Sequence, residues 1–122
     1  MEIALAPDNL SELTKEVIEF RDSRNWAQFH NAKDVAISLS LEASELLELF
    51  QWKSVDELDE HVARKRRQIG EELSDILYWT LLLAHDLRID LAVVFRQKLQ
   101  DNARKYPLHK ARGSSTKYDQ LG

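Results

Sequence analysis

The chain has 122 residues, 43% of them hydrophobic, which suits one domain with a genuine core but is small for a monomeric enzyme. A formal net charge of −4 argues against a general nucleic-acid or anionic-membrane binder, since both need a basic face. The absence of cysteine excludes disulfides, thiolate metal sites and cysteine nucleophiles.

Apolar residues recur with helical rather than alternating period, so the expected class is all-α, a four-helix bundle-like single domain over residues 1–122. Helix one is expected from Asp8 or Asn9, capping residues just after Pro7, to Asp22, with Leu10, Leu13, Val17 and Phe20 facing inward. The loop SRNWAQFHNAKD follows. Helix two is expected from Ala32 or Lys33 to Gln51 and is apolar over most of its circumference, as a central helix would be.

Ser54 with Glu57 reads as a capping box, which places the start of helix three there. Its first half, DELDEHVARKRRQ, is solvated, and its apolar half runs from Ile69 to Leu87. Gly70 in its middle costs about 1 kcal/mol against alanine and marks either a bend or close packing. Asp90 caps a fourth helix, LAVVFRQKLQDNARKY, which Pro107 ends. Residues 108–122 read as a tail with a small basic excess, ordered against a partner or ligand. The N-terminus shows no basic segment leading into an apolar run, and the weakly charged stretch Ile76 to Ala84 is too short to span a bilayer. A cytoplasmic protein without a membrane partner is therefore expected.

Four carboxylates recur as two i, i+3 pairs, Glu42 with Glu45 in LEASELLELFQW and Glu72 with Asp75 in GEELSDILYW. On a helix both members of such a pair point to nearly the same side. A single pair of this kind is usually a solvated surface feature. These two lie among Leu, Ile and Trp on the two most apolar helices, where a buried carboxylate is costly unless a cation compensates it. Glu48 reads as a plain surface acid. Glu71 stands four residues before Asp75, so spacing alone does not choose between Glu71 and Glu72.

An all-oxygen carboxylate site suits Mg²⁺, with Mn²⁺ as a substitute, and supports phosphoryl or nucleotidyl transfer. A di-iron bundle would need Glu-x-x-His, and neither His61 nor His85 follows these acids at that spacing. Trp26 is a loop plug or a stacking platform, and Trp79 covers the acidic site or fills core. Asn102 is a poor helix-interior residue, which favours a hydrogen-bonding role. Lys98, Arg104 and Lys105 contact phosphates or form a solvated face, and His30 and His109 have no assigned role. The reading from another class is a non-catalytic helical oligomerisation or adaptor module with solvated acids.

The segments RNWAQFHNAKDVAISLSLEASELLELFQW, EELSDILYW and DNARKYPLHKARGSSTKY together resemble the MazG-like all-α nucleoside triphosphate pyrophosphohydrolases, particularly the dCTP pyrophosphatase branch. The resemblance covers nearly the whole chain. It implies that Glu42, Glu45, Glu72 and Asp75 ligate Mg²⁺, selecting Glu72 over Glu71. It places Trp26, Trp52, Trp79, Lys98, Asn102 and Tyr106 near a nucleoside triphosphate, with Glu45 as a candidate base. Val17 stands where some relatives carry a base-contacting histidine, and Trp79 where a tyrosine is usual. The implied reaction is Mg²⁺-dependent conversion of dCTP, or a 5-modified dCTP, to monophosphate and pyrophosphate, clearing surplus or altered nucleotides. Helices two and three are apolar over more of their surface than four short helices can cover, so a homo-oligomer is expected, a dimer or a dimer of dimers.

Overall fold

The computed structural model describes residues 9–121, so the expected cap at Asp8 after Pro7 lies outside the described residues. They form α1 (Asn9–Ser23), α2 (Ala32–Glu48), α3 (Leu58–Asp86), α4 (Leu91–Lys105) and α5 (Leu108–Ala111), with single 3₁₀ turns at Ala27–Phe29, Val55–Glu57 and Tyr118–Gln120. No strand occurs among the described residues. The chain divides into two compact units, Met1–Ile89 and Asp90–Gly122.

In the first unit α2 begins at an Asn31 cap. The Asp34 amide donates to Asn31 Oδ1 at 3.0 Å, and Asn31 Nδ2 donates to Asp34 Oδ2 at 2.8 Å. The helix ends at Glu48, short of the expected Gln51. The Leu49 and Phe50 amides turn back to Leu46 and Leu47 at 3.2 and 2.9 Å, tightening the last turn. His61 of α3 hydrogen-bonds the Leu49 carbonyl through Nε2, satisfying an acceptor that a longer helix would have occupied. The expected capping box at Ser54 is not formed. Ser54 Oγ donates to Glu57 Oε1 at 3.0 Å rather than serving an amide, so one 3₁₀ turn intervenes and α3 starts at Leu58.

α3 runs unbroken for 29 residues and packs against both α1 and α2. His61, Glu72 and Asp86 fall about three and four turns apart and so share one side of it. His61 clasps the end of α2, with the Phe50 ring edge-on at 5.9 Å. At the other end Asp86 accepts two hydrogen bonds from the Arg21 guanidinium of α1, at 2.8 and 3.0 Å. Arg21 is 6% exposed. Burial alone would raise the Asp86 carboxyl, but the hydrogen bonds and charge from Arg21, with His85, bring it below the ordinary value.

The fully enclosed apolar side chains among the described residues are Val35, Leu81 and Leu82. Leu13 and Phe20, expected inside, stay partly open; among the described elements α1 packs chiefly on α3. Ile37 and Leu41 on α2, and Leu73 and Leu77 on α3, form exposed apolar rows at i, i+4 spacing. Among the described residues nothing lies within 4 Å of a Cβ built on Gly70, so close packing there does not account for that glycine.

In the second unit Asp90 caps α4 as expected, accepting from the Val93 amide at 3.2 Å. Pro107 ends α4 and immediately opens α5, its fixed φ suiting a helix entrance. The segment read as a tail without periodicity thus holds one short helix, a left-handed Gly113 (φ 75°) and a final 3₁₀ turn. Four helical residues are too few to show a period.

Candidate metal centre

The i, i+3 spacing on α2 and the packing of α2 along α3 bring three carboxylates to one point. Glu42, Glu45 and Glu72 each offer an oxygen, and these oxygens lie within 4.8 Å of one another. The expectation that both pairs are buried needs correction. Glu42 and Glu72 are half-buried, while Glu45 and Asp75 are exposed at the mouth. The second member of each pair is three residues on, about 60° round the helix, which is enough to reach solvent.

The inner pair carries the electrostatic burden. Oε2 of Glu42 and Oε2 of Glu72 are both closed to solvent and have no hydrogen-bond partner. Burial first, then hydrogen bonding and like charge from Glu45, with Asp75 and Glu72 beyond, pushes Glu42 up to about 7. Burial, Glu45 and Asp75 push Glu72 in the same direction, partly offset by a hydrogen bond with Glu42. Buried carboxylate oxygens without donors need a proton or a cation. Their hard, all-oxygen chemistry fits a divalent ion of the Mg²⁺ or Mn²⁺ kind. Asp75 adds its field without placing an oxygen in the triad.

Geometry also separates Glu72 from its neighbour. Glu71 is exposed and pairs with Arg67 at 3.1 Å. Glu48, as expected, is a surface acid.

Aromatic side chains continue from the acidic stripe of α3. Trp79 is half-buried, edge-on to His30 at 5.5 Å and to Tyr78 at 5.0 Å. Phe20 stands edge-on to Tyr78 at 6.2 Å and to Trp26 at 5.7 Å. Trp26 is presented by a tight turn in which Asn25 is left-handed (φ 55°) and the Trp26 amide donates to the Arg21 carbonyl at 3.1 Å. Arg24 lies over the Phe20 ring at 3.8 Å. An open apolar cleft of about 270 Å³ is bounded by Glu16, Val17, Phe20 and Tyr78. Trp52 is 85% exposed, in the turn after α2.

Lys98 and Asn102 stand at i, i+4 on one side of α4, and Tyr106 follows at its C-terminal cap, within the second unit. The Tyr106 amide donates to the Asn102 carbonyl at 2.8 Å, and the Tyr106 ring meets Tyr118 edge-on at 6.0 Å. The sequence alone does not reveal the pairing of Arg21 with Asp86, nor the contact of His61 with the Leu49 carbonyl. Arg21 in a last helical turn looks like surface charge, and its partner is 65 residues away, beyond any local spacing.

The model of the MazG-like family matches residues 37–121. The chain is 40% identical over 114 residues to dCTP pyrophosphatase 1 of Bos taurus, covering 92% of this chain and 68% of that protein. It is likewise 40% identical over 114 residues to dCTP pyrophosphatase 1 of Homo sapiens, covering 92% and 67%. The crystal structure of a pyrophosphatase from Archaeoglobus fulgidus superposes with a TM-score of 0.78 at 38% identity, over 87% of this chain and 99% of that one. With an all-helical fold and an acidic triad between α2 and α3, the chain belongs to the MazG-like family and is an enzyme similar to the dCTP pyrophosphatases.

Proposed function

We propose that this enzyme is a divalent-metal-dependent nucleoside triphosphate pyrophosphohydrolase, acting on dCTP or a 5-substituted dCTP and releasing monophosphate and pyrophosphate. The observation that carries the reading is the pair of solvent-closed, donorless Oε2 atoms of Glu42 and Glu72, facing Glu45. Solvated acids of an adaptor module would not be arranged in this way. The relatives named above supply the substrate class.

Glu42, Glu45, Glu72 and Asp75 would hold Mg²⁺, or Mn²⁺ in its place. Such an ion, when bound, supplies positive charge to phosphate oxygens and lowers the pKa of a water. Glu42 and Glu72 anchor from the closed side. Glu45, open to solvent and within reach of both, is the carboxylate suited to take a proton from the attacking water. Trp26, Trp52 and Trp79 offer flat faces to a base, and Lys98, Asn102 and Tyr106 offer polar groups to the rest of the nucleotide.

Ile37, Leu41, Leu73 and Leu77 leave apolar rows that a second copy would cover, which supports a homo-oligomer, dimer or tetramer. No described helix is long and apolar enough to cross a membrane. We place the protein in the cytoplasm, removing unwanted nucleotides, with no nucleic-acid partner.

Hydrolysis in oxygen-18 water with Mg²⁺ tests the reaction. Label should enter the monophosphate, turnover should stop with chelator, and Glu45→Gln and Asp75→Asn should each slow it by orders of magnitude. Label confined to pyrophosphate would refute attack at the α-phosphorus. Full activity in either variant would remove that residue from the assignment.

A further inference from the structure

The second unit reverses the charge of the whole. The chain carries a net −4, yet residues 104–121 hold Arg104, Lys105, Lys110, Arg112 and Lys117 against the single acid Asp119. Three of these cations converge. Arg104, Lys105 and Lys110 line an open cleft of about 410 Å³ together with Pro107, Tyr118 and Leu121, and among the described residues no carboxylate lines it. The volume lies within the usual range of small-ligand sites.

The fold builds this cleft from two directions. Arg104 and Lys105 come from the last turn of α4, and Lys110 comes from α5 beyond Pro107. The chain then turns through Gly113 and is tied by Ser114 Oγ, which donates to Thr116 Oγ1 at 2.9 Å and accepts from the Thr116 amide at 3.1 Å. This returns Tyr118 against α4, where Tyr106 meets its ring edge-on and Lys105 Nζ lies 4.9 Å from its ring centroid. Lys105 is therefore held on an aromatic face, without a carboxylate. Lys110 has no anionic partner among the described residues. Arg104 pairs with Asp101 through Nη2 alone, leaving its other guanidinium donors open.

We propose that this cleft is an anion site, for the pyrophosphate unit of a polyphosphate. Two ammonium groups and a guanidinium fork match an anion with several negative oxygens better than a single carboxylate. That unit could come from free pyrophosphate or from the tail of a nucleoside triphosphate. The acidic centre repels anions when no cation is bound, so binding in the absence of metal does not depend on the pyrophosphohydrolase reading.

The test uses the full chain in EDTA and low salt, with inorganic pyrophosphate as titrant followed by calorimetry. Saturable metal-free binding is expected. It should weaken about tenfold or more in Lys105→Gln/Lys110→Gln, persist in Lys110→Arg, and be unchanged in Glu45→Gln. Circular dichroism checks that the variants fold, and the salt dependence of wild-type binding gives a second readout that needs no substitution. Competition by dCTP but not dCMP assigns the unit to the nucleotide as well as to the free product, while indifference to dCTP assigns it to free pyrophosphate alone. No metal-free binding, or equal affinity in wild type and Lys105→Gln/Lys110→Gln, overturns the site.

Discussion

Metal binding at the acidic centre should compete with protons near neutrality. Glu42 has been pushed from an ordinary 4.5 to about 7, and a cation can use its carboxylate only once it is ionised. With that value, about one molecule in eleven has Glu42 ionised at pH 6 and about ten in eleven at pH 8. The apparent affinity for Mg²⁺ or Mn²⁺ should therefore rise roughly tenfold across those two pH units, more steeply if Glu72 joins the same titration. A glutamate at its ordinary value would be ionised throughout and give a flat line. Calorimetric titration with Mn²⁺ at pH 6, 7 and 8, in buffers of different ionisation enthalpy, reads affinity and released protons together. About half a proton per ion should be released at pH 7, and Glu42→Gln should flatten the profile. The stability sign follows. Glu42 is raised above its unfolded value, so the stability it contributes to the cation-free protein is present below that value and lost as pH rises through about 7. The Tm gain on adding Mg²⁺ should thus be larger at pH 8 than at pH 6. Constant affinity from pH 6 to 8, with no proton release, would refute the placement of Glu42 in the metal shell.

Trp26→Ala and Trp52→Ala should raise KM more than they weaken Mn²⁺ binding, and kcat/KM should be higher for dCTP than for purine triphosphates; a best substrate of dATP or dGTP would remove the cytosine preference but not the reaction class. Asp86→Asn leaves the buried Arg21 guanidinium short of a counter-charge and should cost about 2 kcal/mol in urea unfolding, between the values for exposed and fully buried pairs. Because Asp86 is held below its ordinary value, its contribution is present above about pH 4 and fades as pH falls through the folded value, so the variant should lose the corresponding part of the acid unfolding limb. His61→Leu strands the Leu49 carbonyl and should cost about 1–3 kcal/mol, whereas His61→Gln, which keeps a donor, should cost less; equal losses would show that packing against Phe50 is what matters.

The helices were legible because their apolar period is long and their signals are local. Asp90 capping α4 and Pro107 ending it depend on residues within a turn of each other. The end of α2 was not, since it is decided by His61, twelve residues on, taking the Leu49 carbonyl. The acidic centre was visible as spacing, but its depth was not. Spacing places Glu42 and Glu45 on one side, and only the neighbouring helix shows that one is enclosed and the other open. Spacing alone leaves the choice between Glu71 and Glu72 open and the resemblance selects Glu72; the structure has Glu71 exposed and paired with Arg67. The basic excess of the C-terminal segment was visible, but its gathering into one cleft was not, because α5 is shorter than any readable period.

α3 acts as a ruler. One rigid rod carries the clasp on α2 at His61, the inner carboxylate at Glu72 and the clasp on α1 at Asp86, all along one side. Each residue added to a helix turns everything beyond it by about 100° and advances it by about 1.5 Å. A single insertion or deletion between positions 61 and 86 would therefore swing a clasp or a ligand off the line, whatever residue was chosen. The turns at 49–57 and 24–31 carry no such register. A residue added in either turn leaves the distance from His61 to Asp86 unchanged, because that distance is set within one helix.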